Sequence, residues 1–196
     1  MGKRITALDL REDGFSIVEM GGGRKGPYLE TFVGEDWESS HPRERSRQLA
    51  RVFAQQRIGK KRIIAALPLS LGRWFRFDLP ALTGDALGKA VVLALQEQLQ
   101  GSFADVIFGF QAKRNGGQTQ VHALVFPQRV LQSRIDLLKD AGLRLKYFVP
   151  RFYGIINYFL FYPENLPGNE TVACIDFSTQ ETEITLFDRN GLLLPR

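Results

Sequence analysis

The stretch Ala7-Leu8-Asp9-Leu10-Arg11 decides the fold of this chain when it is compared with Cys174-Ile175-Asp176-Phe177-Ser178. In each stretch a short apolar run, typical of a buried strand, ends at an aspartate. A turn and a second apolar run follow each aspartate, which predicts that each strand returns as a hairpin. The turn after the first stretch contains Asp13-Gly14, a dipeptide that favours a tight hairpin. The sequence therefore predicts the same strand, aspartate and hairpin arrangement at two places in the chain.

The residues between these two stretches alternate between strand and helix patterns. Three strands linked by hairpins precede a helix from Pro42 to Ile58, and Gly59 is its predicted C-terminal cap. Buried strands are predicted over residues 62–67 and 143–149, and the second of them leads into a helix over residues 152–161. Strands that alternate with helices in this way predict an α/β fold with a largely buried sheet.

A smaller unit is predicted over residues 69–142, between those two buried strands. Its elements are a half-exposed strand over residues 73–79, a helix that begins at Thr83, a hairpin that turns at Asn115-Gly116 and a helix that ends before Gly142. The length of this unit is within the normal range for a domain. We therefore expect a small α/β subdomain inserted into the main domain.

The composition of the chain is that of an ordinary globular protein. Of its 196 residues, 44% are hydrophobic and 24% are charged, which argues against a disordered or fibrous protein. No apolar run approaches the ~18 residues of a membrane span, and the first residues lack the apolar core of a secretion signal. Cys174 is the single cysteine and is accompanied by two histidines, so we expect a small buried thiol, no disulfide and no metal site. These observations predict a cytoplasmic protein.

Positive charge is concentrated in residues 41–62. The chain has a net charge of +5, and this segment holds eight Lys/Arg against the single acid Glu44. Its apolar residues recur at near-helical spacing, which places the arginines on the opposite side of a helix. The simplest interpretation is a solvated surface, and the alternative is a surface that binds anionic lipid. Lipid would then contact the following side chains: Arg43, Arg47, Arg51, Lys60 and Lys61.

No established catalytic or nucleic-acid motif accompanies these features. The sequence lacks G-x-S-x-G and G-x-x-x-x-G-K-[ST] patterns, and it lacks helix-turn-helix, zinc-finger and aromatic RNA-binding patterns. Residues 21–26 spell G-x-G-x-x-G, but a β-rich run follows, so we expect a hairpin loop there. Eight aromatic residues over 147–162 are expected to be mainly core, with a ligand pocket or partner groove as the alternative. We therefore predict no catalytic residue and no nucleic-acid partner.

Residues 5–196 resemble the actin-like ATPase superfamily, in which each of two lobes opens with a hairpin that grips phosphate after an aspartate. Within it, the chain looks most like the PilM-type proteins of type IV pilus assembly, which are related to the division protein FtsA. Besides the two stretches quoted first, four segments carry the resemblance: Ala65-Ala66-Leu67-Pro68, Phe75-Arg76-Phe77-Asp78-Leu79-Pro80, Leu93 to Gln111 and Arg134 to Leu143. The resemblance implies a ribonuclease-H-like lobe with an inserted α/β subdomain and the first strands of a second lobe.

The resemblance also implies domain boundaries. Residues 1–68 and 143–168 correspond to the two parts of the first lobe, residues 69–142 to the inserted subdomain, and residues 169–196 to the incomplete start of the second lobe. On this basis we expect the adenine-holding part of an actin-like fold to be absent, and one wall of a nucleotide cleft to be present with little of the other.

The phosphate hairpins of this superfamily map onto five residues of the chain: Asp9, Arg11, Asp176, Ser178 and Thr182. Asp9, Asp176 and Thr182 match the family pattern, whereas Arg11 and Ser178 stand where the pattern has glycine. Glycine is needed there so that backbone N–H groups can approach the phosphates closely. The two aspartates could hold Mg²⁺ through water, or they could satisfy their own turns. We interpret the five residues as vestigial phosphate loops.

Charge also argues against phosphate binding at the first hairpin. Ser16 stands where the family has a lysine, and the loop tip carries Glu12 and Asp13 in place of small hydroxyl residues. Two carboxylates repel a triphosphate, and the loss of the lysine removes a cationic partner. Arg11 is a candidate substitute for that lysine. We therefore expect no bound cofactor, with ATP and Mg²⁺ as the alternative.

The resemblance implies a function at the bacterial inner membrane. We expect a non-enzymatic scaffold of a pilus assembly or type II secretion platform, peripheral to the cytoplasmic face, that binds the cytoplasmic tail of a single-span membrane protein. Two alternatives stay open, a nucleotide-binding ATPase or kinase of the same superfamily and an FtsA-like filament protein that forms homo-oligomers. The enzyme question is also open, and the altered hairpins favour a protein without catalysis.

Overall fold

The computed structural model describes residues 4–24, 26–99, 103–162, 170–177, 182–189 and 191–195. The chain divides into two compact units, the first comprising Met1–Leu69 with Ser133–Arg196 and the second comprising Ser70–Gln132. The alternation of strands and helices confirms the predicted α/β class. In chain order the elements are β1 (Ile5–Leu10), β2 (Gly14–Gly23), β3 (Gly26–Asp36), α1 (Pro42–Gln55), β4 (Lys61–Leu67), β5 (Arg73–Pro80), α2 (Gly84–Leu99), β6 (Val106–Asn115), β7 (Gln118–Pro127), α3 (Gln128–Asp140), β8 (Arg144–Pro150), α4 (Arg151–Phe161), β9 (Val172–Phe177), β10 (Thr182–Asp188) and β11 (Gly191–Pro195).

The first unit contains a five-stranded sheet in the order β3-β2-β1-β4-β8. β1 is antiparallel to β2 and parallel to β4, and β4 is parallel to β8. Alternation along β1 buries Leu8 and Leu10 on one face of this sheet. Helices α1 and α3 contribute Leu49, Phe53 and Leu138 to the same core, and each such buried side chain stabilises the fold by about 1.5–3 kcal/mol. The predicted order of three strands, a helix and a strand is confirmed.

The C-terminal end of α1 differs from the prediction. The helix ends at Gln55, and Arg57 adopts the left-handed conformation with φ 55°. The N–H of Ile58 donates to a carbonyl of the last turn at 3.0 Å, which closes the helix in the Schellman pattern. Gly59 is therefore not the cap. Its N–H instead donates to the buried carboxylate of Glu19 at 3.0 Å.

The second unit is a three-stranded antiparallel sheet in the order β5-β7-β6, covered on one face by α2. Val91 and Leu95, one turn apart on α2, are fully buried. They pack against Val121 and Ala123, which alternation along β7 places on the same face of the sheet. The predicted succession of strand, helix and hairpin in this part of the chain is confirmed.

Two hairpin turns and one helix end lie at or near the glycines from which the sequence predicts them. The glycines of residues 21–26 lie in the β2–β3 hairpin, as predicted, with Gly23 paired to Gly26. The β6–β7 hairpin turns at Gly116-Gly117, one residue beyond the predicted turn, because Asn115 still pairs with Gln118. α3 ends as predicted, since Gly142 supplies a left-handed residue with φ 72° directly after the helix.

A second three-stranded antiparallel sheet, β11-β10-β9, belongs to the first unit. Alternation along β10 buries Thr185 and Phe187. Phe187 packs on Phe159 of α4, with ring centroids 5.4 Å apart. Cys174 is only half-buried, because β9 is an edge strand of this sheet, so the expectation of a buried thiol is wrong.

α4 and the residue range around it hold fewer core aromatic side chains than the sequence predicts. Phe152 and Ile156, which are one turn apart, are the buried residues of the helix. Because this buried face is narrow, Tyr158 and Phe161 on the other faces of α4 are not covered, whereas Tyr153 and Phe159 are half-buried. The expectation of a mainly core role for the aromatic residues over 147–162 is therefore wrong for four of them, which are exposed: Tyr147, Tyr158, Phe161 and Tyr162.

Candidate functional site

Asp9 lies at one edge of the five-stranded sheet. β1, β4 and β8 run parallel, so their carboxyl ends meet at the same edge, which is the usual position of a binding site in α/β folds. Asp9 pairs with Ser16 on β2 and with Ala66 on β4. Since side chains alternate along a strand, the Asp9 carboxylate is on the face opposite the buried Leu8.

Two arginines contact the Asp9 carboxylate from different parts of the chain. The Nε–H group of Arg151, the first residue of α4, donates to Asp9 Oδ1 at 3.3 Å. Arg11 Nη1 lies 3.5 Å from Asp9 Oδ2. The Arg151 side chain is only 12% exposed, so this contact is screened less by solvent than a surface ion pair. Each oxygen of the carboxylate therefore faces a positive charge.

Arg151 also connects Asp9 with the second aspartate of the predicted pair. Its Nη1 atom lies 4.0 Å from Asp176 Oδ2. Asp176 is on β9 and pairs with Glu183 on β10. The buried Glu183 carboxylate accepts a hydrogen bond of 2.5 Å from the N–H of Leu69, which ties β10 to the residues that follow β4. The structure therefore places Asp9 and Asp176 at the same guanidinium group.

The guanidinium group of Arg11 occupies the space beside Ser16. Its Nη1 atom donates to Ser16 Oγ at 2.9 Å, and its Nε atom donates to Asp13 Oδ1 at 3.4 Å. Ser16 is the position for which the family resemblance implies a lysine. The backbone N–H of Arg11 donates to the carbonyl of Gly14 at 2.9 Å, so this donor closes the turn. Arg11 thus supplies a positive charge near Ser16, while its own amide is already used within the hairpin.

Trp37, the residue directly after β3, holds the tip of the first hairpin. Its indole N–H donates to the carbonyl of Arg11 at 2.9 Å, and its backbone N–H donates to the carbonyl of Asp13 at 2.8 Å. The indole ring packs on Phe15 at a centroid distance of 4.7 Å and lies 5.1 Å below the guanidinium carbon of Arg45. The β1–β2 turn is therefore fixed by two hydrogen bonds from outside the hairpin.

The other hairpin carries one described site residue besides Asp176. Thr182 is the first residue of β10 and pairs with Phe177, the neighbour of Asp176. Thr182 is exposed. Ser178 lies outside the described residues, so its relation to Asp176 stays a prediction.

Arg151 and Trp37 take part in this site although the sequence patterns did not single them out. An arginine in the first turn of a helix is unfavourable beside the positive end of the helix dipole. Its presence directly after Pro150, at the end of a buried strand, was therefore a signal that a carboxylate lies nearby. Trp37 carried no comparable signal, because its partners are backbone carbonyls that only the folded hairpin brings into reach.

The arrangement fits a pair of carboxylates neutralised by arginine better than a Mg²⁺–triphosphate group. A magnesium ion would have to share Asp9 with two guanidinium groups, although Mg²⁺ prefers a carboxylate surrounded by water. The amide of Arg11, which would have to face phosphate, is hydrogen-bonded to Gly14. Within the described ranges no three His, Cys, Asp or Glu side chains are grouped as a metal site.

Two titratable groups near this site hold their protons more tightly than usual. Burial, with a further contribution from the charge of Asp176, raises the pKa of the Cys174 thiol. Burial also raises the pKa of the Tyr153 hydroxyl on α4. A thiol with a raised pKa carries little thiolate at neutral pH. Neither side chain is therefore an activated nucleophile.

Three solved structures are similar to this chain over nearly its whole length. A structure of a PilM-PilN type IV pilus biogenesis complex matches with a TM-score of 0.81 at 16% identity, over 98% of this chain and 60% of that chain. The cytoplasmic domain of EpsL, an inner membrane component of the type II secretion system of Vibrio cholerae, matches with a TM-score of 0.65 at 12% identity, over 99% of this chain and 71% of that domain. A protein of unknown function with an actin-like ATPase fold from Bacteroides thetaiotaomicron matches with a TM-score of 0.57 at 15% identity, over 99% of this chain and 69% of that one.

These likenesses bear on the fold. No protein-family model and no curated protein sequence matches the chain. The chain spans 60% of the length of the matched chain in the PilM-PilN complex. In the part of the chain that the structure describes, no helix is both long and apolar enough to cross a membrane. The resemblance seen in the sequence is confirmed at the level of structure: the chain has the actin-like ATPase fold.

Proposed function

We propose that this chain is a non-enzymatic scaffold of a bacterial pilus assembly or type II secretion platform. The proposal is supported by the likeness of the fold to a PilM-PilN pilus complex and to the cytoplasmic domain of EpsL. In this proposal the chain is peripheral to the cytoplasmic face of the inner membrane. It binds the cytoplasmic tail of a single-span membrane protein.

The observation that carries the non-enzymatic part of the proposal is the position of Arg151. Its guanidinium group lies between Asp9 and Asp176, the residues that would hold a metal ion in a working actin-like ATPase. A fixed positive charge at this position supplies internally what Mg²⁺ would otherwise supply. The hairpins that bear Asp9, Arg11, Asp176, Ser178 and Thr182 then serve to join the strands and not to bind phosphate.

Calorimetric titration with Mg-ATP tests this part. We expect no binding by the wild-type chain and no binding by an Arg47→Gln control, which changes an exposed arginine of α1. The matched variant Arg11→Gly/Ser16→Lys/Arg151→Ala restores the family pattern at the first hairpin and removes the intervening charge. Micromolar binding by the wild-type chain would instead support the alternative of a nucleotide-binding ATPase or kinase. Binding by the triple variant alone would support a phosphate site that Arg11, Ser16 and Arg151 close in the wild-type chain.

Tail binding is tested with synthetic peptides. Peptides of the cytoplasmic tails of single-span pilus and secretion proteins are titrated against the labelled chain, with a scrambled peptide of the same composition as the control. We expect micromolar affinity for one tail and none for its scrambled form. Equal affinities for both forms, or none for any tail, would contradict the proposal. Growth of the sedimentation coefficient with concentration would favour the filament alternative.

A lipid-facing role for the basic segment is part of the same proposal. Arg43 and Arg47 on α1 are exposed, as are Lys60 and Lys61 after it, while the exposed Arg51 forms an ion pair with Glu38. Each Lys or Arg near an anionic membrane contributes about 1 kcal/mol of attraction. Flotation with vesicles tests this role. Equal recovery with anionic and neutral vesicles would rule it out.

A further inference from the structure

An open depression of about 460 Å³ lies at the amino ends of β4 and β8. It is lined by Lys61, Arg62, Arg144, Leu145 and Lys146, and we call these five residues the basic depression. Because Asp9 is near the carboxyl ends of the same parallel strands, the basic depression is at the opposite end of the sheet from the candidate site. It is therefore a separate feature of the first unit.

Strand pairing assembles the basic depression from two distant parts of the sequence. β4 and β8 pair in parallel, with Lys61 opposite Arg144 and Ile63 opposite Leu145. The N–H of Arg144 also donates to the carbonyl of Lys60 at 2.8 Å, which fixes the two strand starts side by side. The positive charge of residues 41–62 is thus joined by two cations from residues 144–146, which the charge run in the sequence does not include.

Arg62 enters the depression through a β-bulge. The pairing register shifts between Lys61 and Ile63, so Arg62 has no opposite residue on β8. It also has φ 65°, in the left-handed region that a non-glycine residue adopts at a cost in free energy. Bulges re-aim side chains beside functional sites, and strained residues cluster where function needs them. The backbone is therefore strained at Arg62, and this residue adds a further cation to the depression.

Among the described residues, no carboxylate forms an ion pair with the four cations of the basic depression, which are Lys61, Arg62, Arg144 and Lys146. The described residues that line the depression include no acid. All four side chains are exposed. Because like charges that line one depression repel one another, an anion bound there is attracted by each of them.

We propose that the basic depression binds phosphate groups. Arginine pairs with two phosphate oxygens at once through its planar fork, and lysine adds a compact positive charge. The depression is large enough for a small phosphate compound or for a phospholipid headgroup. The site shares only Lys61 with the lipid-facing surface proposed above. It does not depend on the scaffold proposal.

Inorganic pyrophosphate is the first probe, titrated by calorimetry against the full chain at low ionic strength. Arg62→Gly is the main variant, because glycine accepts φ 65° without strain and the chain should fold at least as well without the charge. Arg144→Gln is the second variant. Arg114→Gln is the matched control, since it removes one exposed arginine of β6 that belongs neither to the depression nor to the lipid-facing surface. We expect affinity to fall at least fivefold in the first two and less than twofold in the control.

Vesicles distinguish the two sources of phosphate. Equimolar phosphatidylglycerol and phosphatidylcholine vesicles are compared with vesicles of phosphatidylcholine alone. Binding to the anionic vesicles that falls in Arg62→Gly and Arg144→Gln, without pyrophosphate binding, identifies a headgroup as the ligand. Pyrophosphate binding that falls in the same variants identifies a free phosphate compound. A loss as large in Arg114→Gln, or no binding of either probe, overturns the proposal.

Discussion

Arg151 is the residue on which the candidate site depends most. Its guanidinium group neutralises Asp9 and reaches Asp176, and its side chain is largely screened from water. Replacing it with alanine is expected to lower the free energy of unfolding by about 1–3 kcal/mol, because a charged hydrogen bond is lost and Asp9 is left with its longer contact to Arg11. Urea unfolding of the wild-type chain and of Arg151→Ala measures the difference.

A double-mutant cycle with Asp9→Asn separates the pair from other effects of the alanine. A coupling energy near zero would mean that Arg151 packs without pairing, and the charge argument would then fail. Arg151→Lys is the conservative control. It keeps a charge without the planar fork and should recover part of the stability.

Arg57 offers a substitution that stabilises the protein. It has φ 55° at the end of α1, whereas the corresponding position after α3 is Gly142 with φ 72°. Arg57→Gly is expected to raise the free energy of unfolding by about 0.5–1 kcal/mol, because glycine adopts the left-handed conformation without a clash. Gly142→Ala, measured in the same urea series, is expected to be destabilising by about 1 kcal/mol. A decrease for Arg57→Gly would show that its side chain makes a stabilising contact.

At the scale of single residues, part of the site could be predicted from the sequence. Asp9 and Asp176 could be predicted because a strand that ends in an acidic residue before a turn is a local pattern. The contact of Arg151 with Asp9 joins residues 142 positions apart. It depends on the sheet order that brings the end of β8 and the start of α4 to the edge where β1 ends, and no local pattern encodes that order.

Among the elements, β7 carries a histidine whose protonation opposes folding. His122 lies beside Trp74, with ring centroids 5.5 Å apart, and its Nε2 is 3.2 Å from Gln120 Oε1. Burial and the charge of Arg76 lower the pKa of His122 below its usual 6.5, although Asp78 acts in the opposite direction. The neutral ring is therefore favoured in the folded state.

A lowered folded-state pKa makes stability fall as the pH falls. Between the folded and unfolded pKa values of His122 the unfolded chain binds more protons, so this contribution is complete above about pH 7 and decreases as the pH falls through 6.5. Unfolding curves at pH 7.5, 6.5 and 5.5 test this. The wild-type chain should lose more stability over this range than His122→Gln, which cannot titrate. Parallel losses in both would assign the effect to other groups.

The boundaries of elements were harder to predict than their order. The sequence placed the end of α1 at Gly59 because glycine is the usual residue after a helix, yet Arg57 ends the helix and Gly59 binds the buried Glu19. The β6–β7 turn moved by one residue because two glycines follow Asn115 and either pair could form the turn. Tertiary contacts decided the first case, and strand register decided the second.

At the scale of the whole molecule, the sheet of β9, β10 and β11 has one covered and one open face. α4 packs on the face that carries Phe187. The opposite face is apolar and exposed, since Ile175 pairs directly with Ile184 and is 49% exposed, and Phe177 on the same face of β9 is 77% exposed. A sheet in a folded domain normally buries its apolar face against a second layer. In the part of the chain that the structure describes, this face therefore offers exposed apolar surface to a ligand.

Such a face should bind an apolar dye in the native state. We expect anilinonaphthalene sulfonate to fluoresce with the folded chain and to lose most of that signal in Ile175→Ser/Phe177→Ser, because the double substitution removes the largest exposed side chains of β9. Ile107→Ser is the matched control, since Ile107 on β6 is 45% exposed but belongs to the other unit. Circular dichroism confirms that each variant remains folded. A signal that survives the double substitution, or that falls equally in the control, would place the apolar surface elsewhere, and the exposed aromatic residues of α4 would be the next to replace.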